Sequence, residues 1–345
     1  VIQYSQNSSR SADGKRRCVR SFETFQEATV RNIIGIAIFL LALTVSMRAK
    51  PPQGQAAQPP SWAFPVPDKA PPAGFEDAPQ KHVPGSSQTY DRPRIDPFNP
   101  PDWFPDEHSP MPPIVRQGSG KAVQACAYCH LASGSGHPQS ANVAGLPVGY
   151  FLQQLADFKS GERKDGLMNP YARALSDDDA RQAAEWFASL TPRPWVKVVE
   201  TERVPETFVF ITRERYPVPG GGMEPLGNRI IEVPEDPARS LSYDSHSGFI
   251  AYVPVGSIAK GKALVSTGGS GKTTACATCH GESLTGVAEV PRIAGLFPTY
   301  IFRQLYTFKN GDRTGTSAEL MKGVVANLTE DDMVDISAYV GSLKP

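Results

Sequence analysis

The chain has 345 residues, room for two or three domains of ordinary size. A hydrophobic fraction of 40% supports folded cores but excludes a multi-span membrane protein. Zero net charge, with no basic patch interleaved with aromatics, gives no basis for nucleic-acid binding.

Residues Ile33 to Met47 form a 15-residue run without a charge. Six basic residues (Arg10, Lys15, Arg16, Arg17, Arg20, Arg31) precede it, against three acidic ones. A basic flank stays in the cytoplasm, so everything after the run is expected outside, in the periplasm. The run suits the apolar centre of a signal peptide better than a full span of about 20 residues, yet no clean cleavage site comes after it. Residues 1–49 are therefore expected to be a signal peptide or an N-terminal membrane anchor. Arg16-Arg17 is a weak twin-arginine candidate, because the apolar run starts far downstream. Without residues 1–49 the chain has 28 basic and 32 acidic residues, a net charge of −4.

Residues 50–113 hold much of the excess proline and are expected to be an extended, semi-rigid linker. Its last third carries Phe98, Trp103 and Phe104, so that part is expected to pack on the first folded domain.

The rest of the chain repeats itself. Cys126, Cys129 and His130 recur 150 residues later as Cys276, Cys279 and His280. The same offset matches Tyr150 to Tyr300, Gln154 to Gln304, Phe158 to Phe308, Gly161 to Gly311 and Arg163 to Arg313. After a three-residue insertion, Met168 matches Met321, Ser176 matches Thr329 and Trp186 matches Tyr339. One module, 114–194, is thus written again as 256–345.

Each module reads as helical. Apolar residues at helical spacing predict helices over Gly149–Lys159 and Tyr300–Lys309, ending at Gly161 and Gly311. Ser176 and Thr329, each followed by three acidic residues, are expected N-caps of further helices reaching about Leu190 and Leu343. Ile258–Val265 predicts a short helix before the second cysteine pair. The equivalent stretch Ile114–Gln124 contains Gly118 and Gly120 and is weaker. Between the modules, 195–255 carries β-branched runs at Val196–Val199, Phe208–Thr212, Arg229–Val233 and Phe249–Val253, which predict three or four short strands. No cluster of convergent polar residues is evident there. The fold class expected is mainly α: two helical modules with a small β-rich segment between them.

Four of the five cysteines lie in two C-x-x-C-H strings, Cys126-Ala127-Tyr128-Cys129-His130 and Cys276-Ala277-Thr278-Cys279-His280, while Cys18 stands apart. This odd, clustered set argues against a disulfide framework. C-x-x-C-H is a haem-attachment string: one helical turn offers two thiols to the two vinyl groups of a porphyrin and holds the next residue, His, under the iron. The expected cofactors are two covalently bound haem c groups. Alternatives are a zinc half-site, a redox disulfide, or one four-cysteine zinc site pooled from both strings. The repeated His and the complete second module argue for haem.

Met168 and Met321, matched across the repeat in segments expected to be non-helical, are candidate sixth iron ligands; His with Met gives a closed electron-transferring site. Met333 is a rival in the second module, but it lies in the last helix and its counterpart is Ala180. A ligating His needs an acceptor for its other ring N–H. The carbonyls of Pro291 and of its match Ala141 are the candidates. His82, His108, His137 and His246 are unrepeated and are read as exposed loop residues, with His137 closest in sequence to the first string. The matched aromatics are read as walls of the haem pockets.

These motifs, in order, are C-x-x-C-H, a (Y/F)-(L/I)-x-x-Q-L-x-x-F-K-x-G helix, a Met and a capped acidic helix. They resemble the class I cytochrome c family, particularly its tandem di-haem periplasmic members. The resemblance covers roughly half the chain. It implies helices wrapped around each haem, with His130/Met168 and His280/Met321 as axial pairs. It also implies an electron shuttle, or the haem subunit of a dehydrogenase, working between a periplasmic dehydrogenase and a terminal oxidase or quinol-oxidising complex. The β-rich insertion and the proline-rich stretch depart from compact tandem members. An enzyme, such as a di-haem peroxidase or a small-molecule oxidoreductase, is the second class; it needs an open iron and a nearby base, and no catalytic residue is assigned.

Overall fold

The structure is a computed structural model that describes residues 58–345. The apolar run 33–47, Cys18 and the start of the proline-rich stretch lie outside the described residues. Residues 59–345 form one unit.

The first helical group contains α1 (Pro113–Arg116), α2 (Cys126–His130), α3 (Val148–Ser160), α4 (Met168–Ala174) and α5 (Asp177–Ala188). The weak first helix is a single turn. It stops because the chain turns back at Gly118, whose φ is +75° and where a Cβ would lie 2.1 Å from the Val123 carbonyl oxygen. Helix α3 ends at Gly161 in the left-handed conformation, φ +87°, which costs glycine little. Ser176 caps α5 by accepting from the Asp179 N–H.

The second group repeats this plan with α7 (Ser257–Thr267), α8 (Ala277–His280), α9 (Pro298–Asn310), α10 (Ala318–Val325) and α11 (Glu330–Gly341). Thr329 and Asp332 form a reciprocal capping box at the start of α11. Met168 and Met321 were expected in non-helical segments. Instead Met168 is the first residue of α4, and Met321 lies in the first turn of α10. These helices are only 7 and 8 residues long, too short for a periodic pattern to announce them.

The intervening segment holds more strands than the three or four expected. They are β1 (Val196–Glu200), β2 (Arg203–Pro205), β3 (Thr207–Val209), β4 (Arg215–Pro217), β5 (Met223–Pro225), β6 (Ile231–Pro234) and β7 (Phe249–Val253), with the short helix α6 (Pro237–Leu241) before β7. The central β7 pairs parallel with β1 and antiparallel with β6. The ribbons β2–β5 and β3–β4 are antiparallel, with three residues a strand, too few to show an alternation in sequence.

Each helical group has its own core. Ile114, Val143, Ala183, Trp186 and Phe187 fill the first; Leu264, Phe302, Leu328, Met333 and Val340 fill the second. A smaller cluster of Leu131, Trp195, Phe249 and Phe297 joins both groups to the β-rich segment. The proline-rich stretch packs over more of its length than its last third, and among the described residues Trp103 and Phe104 in that third contact Ser242 and His246 of the β-rich segment and not the first helical group. Trp62 lies 4.5 Å from Phe302, Phe75 lies 4.8 Å from Phe208, and the Trp103 indole donates to the Ser242 carbonyl at 2.6 Å. The part from residue 58 is a strap on the folded unit, because its few aromatic side chains find partners on the second helical group and on the β-rich segment.

Candidate haem-attachment sites

Both C-x-x-C-H strings form short helices, α2 and α8. None of the four cysteines is in a disulfide. Burial pushes the thiols up, to about 12 for Cys126, about 11 for Cys129 and about 11 for Cys276. Among the described residues no three His, Cys, Asp or Glu side chains converge on a metal-sized site, so the two pairs do not pool into a four-cysteine centre. A thioether carries no charge, which suits the partly buried setting of Cys126, Cys129 and Cys276; Cys279 is exposed.

The two histidines are held alike. His130 Nδ1 lies 2.8 Å from the Ala141 carbonyl oxygen, and His280 Nδ1 lies 2.8 Å from that of Pro291. A carbonyl only accepts, so Nδ1 carries the hydrogen and Nε2 keeps its lone pair free. Burial lowers the pKa of both rings, against the opposing effect of these bonds, which favours the neutral form that binds metal.

The methionine-bearing helices are tied to the strings at matched places. Tyr171 of α4 donates to the Gln124 side chain at 2.6 Å, two residues before Cys126. Thr273, three residues before Cys276, donates to the Val324 carbonyl of α10 at 2.7 Å. Met321 and Cys276 both pack against the second core cluster, and Met168 is half-buried. Met333 is 1% exposed within the second core.

Two residues matched across the repeat had no role assigned from sequence. Arg163 and Arg313 pair as an isolated antiparallel bridge where the two helical groups meet. Arg163 donates to Gln154 at 2.8 Å, to Gln304 at 3.0 Å and to the Tyr300 hydroxyl at 3.3 Å. Arg313 donates to Gln304 at 2.9 Å and to Gln154 at 2.7 Å. Both guanidiniums are buried, and among the described residues neither forms an ion pair with a carboxylate. Two buried cations held by neutral groups call for nearby anions, and a haem brings two carboxylates. The residues present therefore fit the group. Phe158 and Phe308 lie under these arginines at 4.4 and 4.1 Å, so the matched aromatics are also shelves for charge. Retention of an Arg at both matched places was the signal that could have found the pair.

Of the unrepeated histidines, His82 and His246 are exposed as expected, whereas His108 and His137 are less so. The His108 side chain is 7% exposed and lies 3.2 Å from Asp102; that of His137 is 14% exposed, 4.0 Å from Glu214. The β-rich segment also contributes buried acids. Glu214 and Glu232 are 5% and 2% exposed, and burial pushes each up to about 7. Glu232 accepts from the Thr299 backbone N–H at 3.0 Å, at the start of α9.

A family model for cytochrome c matches residues 258–344. Cytochrome c-554(547) of Halothiobacillus neapolitanus is 36% identical over 86 residues, 22% of this chain and 94% of that protein. Cytochrome c4 of Pseudomonas aeruginosa is 27% identical over 231 residues, covering 66% of this chain and 87% of its own length. The thiosulfate dehydrogenase electron acceptor of Stutzerimonas stutzeri (strain A1501) is 24% identical over 229 residues, 66% of this chain and 82% of that protein.

Proposed function

The chain belongs to the cytochrome c family, and from that premise we propose that it accepts electrons singly from a periplasmic dehydrogenase, thiosulfate dehydrogenase being the candidate named by its relatives, and passes them to a respiratory-chain acceptor. It is a di-haem electron carrier. When bound, each haem supplies a one-electron iron couple. In this reading residues 114–194 and 256–345 are the two cytochrome modules, 195–255 is the segment between them, and the apolar run 33–47 exports or anchors the chain.

The observation that carries the reading is the duplicated site: a free cysteine pair followed by a histidine whose Nδ1 is engaged by a carbonyl at 2.8 Å in both copies. Cys126, Cys129, Cys276 and Cys279 hold the porphyrins covalently. His130 and His280 would bind the irons, with the carbonyls of Ala141 and Pro291 fixing the ring tautomer. Met168 and Met321 would supply the other protein ligand to each iron, leaving no position for a solute. Arg163 and Arg313 would offer buried positive charge to the porphyrin carboxylates.

The test is the visible and magnetic spectrum of the ferric protein, with a pyridine haemochrome assay to count haems. Two low-spin haems per chain and an uptake of two electrons support the reading. A high-spin iron with peroxide turnover moves it to a haem peroxidase.

A further inference from the structure

The two attachment sites are equivalent in sequence and unequal in cover. In the second string Cys279 and Thr278 are exposed, whereas their matches Cys129 and Tyr128 are partly buried. The ten residues after each histidine differ more. Most of Leu131–Ser140 is buried and none of it is exposed. Most of the matching Gly281–Val290 is exposed, with Val287 at 56%.

The β-rich segment contributes much of the cover over the first site, with Arg303, which donates to the Pro138 carbonyl, and Phe297 of the second group adding to it. The Trp195 indole donates to the Gly136 carbonyl at 2.9 Å. Leu131 packs against Trp195 and Phe249. The Tyr243 ring lies 5.6 Å from Tyr128, and the Glu214 carboxylate lies 4.0 Å from His137. Among the described residues, no hydrogen bond, ion pair or ring contact joins Gly281–Val290 to residues 195–255. The sequence agrees with this division: Tyr128 and Leu131 are large and apolar where they are covered, and their matches Thr278 and Gly281 are small.

We propose that the β-rich segment insulates the first haem site from solution, leaving the second as the site open to exchange with soluble redox agents. This rests on the reading that both strings carry haem. Trp195 and Tyr243 are the shielding residues, and the duplicated module gains a division of labour that its repeat alone does not specify.

Two measurements test it in the haem-loaded chain, after a haemochrome assay has established two haems; a lower count rejects the underlying reading and not the insulation. First, backbone hydrogen exchange is compared between 131–140 and 281–290. Exchange slower by at least about 10-fold in the first loop is expected for covered backbone, and equal exchange overturns the proposal. Trp195→Ala should speed exchange in 131–140 and leave 281–290 unchanged; no change in either loop overturns the role given to the segment. Second, single-haem forms, Cys276→Ala with Cys279→Ala and Cys126→Ala with Cys129→Ala, are mixed with hexaammineruthenium(II). This agent gives up one electron to become ruthenium(III) as ferric iron becomes ferrous. The form keeping only the second haem should be reduced faster by on the order of 10-fold, since encounter rates follow the accessible patch. Equal rates overturn the proposal, and if either form fails to fold the exchange comparison decides.

Discussion

Arg163 and Arg313 exchange acceptors across the join of the two modules: each donates to the glutamine of its own module and to that of the other. The two guanidiniums repel each other, so the arrangement depends on the glutamine oxygens they share and on the tyrosine beside them. Groups that share partners do not act independently. In a cycle of Arg163→Ala, Arg313→Ala and the double variant, the double change should differ from the sum of the singles by about 0.5–3 kcal/mol. Denaturant unfolding followed by tryptophan fluorescence and haem absorbance measures it. Additive costs would mean that the bridge is not a single unit.

The second module depends on one close helix crossing. A Cβ on Gly261 of α7 would lie 1.9 Å from the Asp335 carbonyl oxygen and 2.9 Å from the Tyr339 side chain, both on α11. Gly261→Ala forces these helices apart and should cost roughly 1–3 kcal/mol. Gly323, within α10, has open space around it. Gly323→Ala should instead stabilise the chain by about 0.5–1 kcal/mol, since helix interiors favour alanine. Thermal melts of the two variants should move in opposite directions.

What the sequence revealed and concealed has a common physical cause. Duplication made the cysteine pairs, the histidines, their carbonyl acceptors and the capped helices legible, because each was seen twice with the same spacing. Arg163 and Arg313 were equally duplicated, but a lone arginine has no motif, and only the fold brings the two together. Glu214 and Glu232 had no second copy and lie in or beside strands too short to show an alternation. Trp62 and Phe75 were hidden by the prolines around them: such a stretch cannot form helices, yet it can lie extended over a surface.

The buried acids give stability a pH dependence of definite sign. Burial raises Glu214 and Glu232 from 4.5 to about 7. Between those values the folded chain holds on these two carboxyls protons that the unfolded chain has released, so their contribution to stability falls as pH rises through this window and levels off above it; His137, pushed by burial from 6.5 down to about 3, contributes with the opposite sign at the acid end. Glu214→Gln keeps the shape without the titration. It should flatten part of the slope and raise stability by roughly 1–3 kcal/mol at pH 8, with little effect at pH 4. Unfolding midpoints across pH 4–8 would show an unchanged slope if Glu214 were not the group responsible. Glu232→Gln should behave less simply, because Glu232 also accepts from Thr299 at the start of α9.

The methionines separate ligation from packing. Met168 opens α4 at the surface of its module, Met321 touches the second core, and Met333 is inside it. If Met168 and Met321 are iron ligands, Met168→Ala should convert one haem of two to an open, high-spin iron and lower its potential, because the soft thioether favours the ferrous state. Its cost in stability should stay near 1 kcal/mol, roughly the level of a partly exposed position. Met321→Ala should do the same to the other haem, at a cost of about 2 kcal/mol because it also packs. Met333→Ala should cost about 2–5 kcal/mol and leave both irons low-spin. Magnetic resonance of the ferric protein counts high-spin iron directly, and denaturant unfolding gives the cost. A high-spin signal from Met333→Ala with none from Met321→Ala would transfer the ligand assignment to the last helix. The pairing of Met168 with Met321 across the repeat would then reflect helix packing alone.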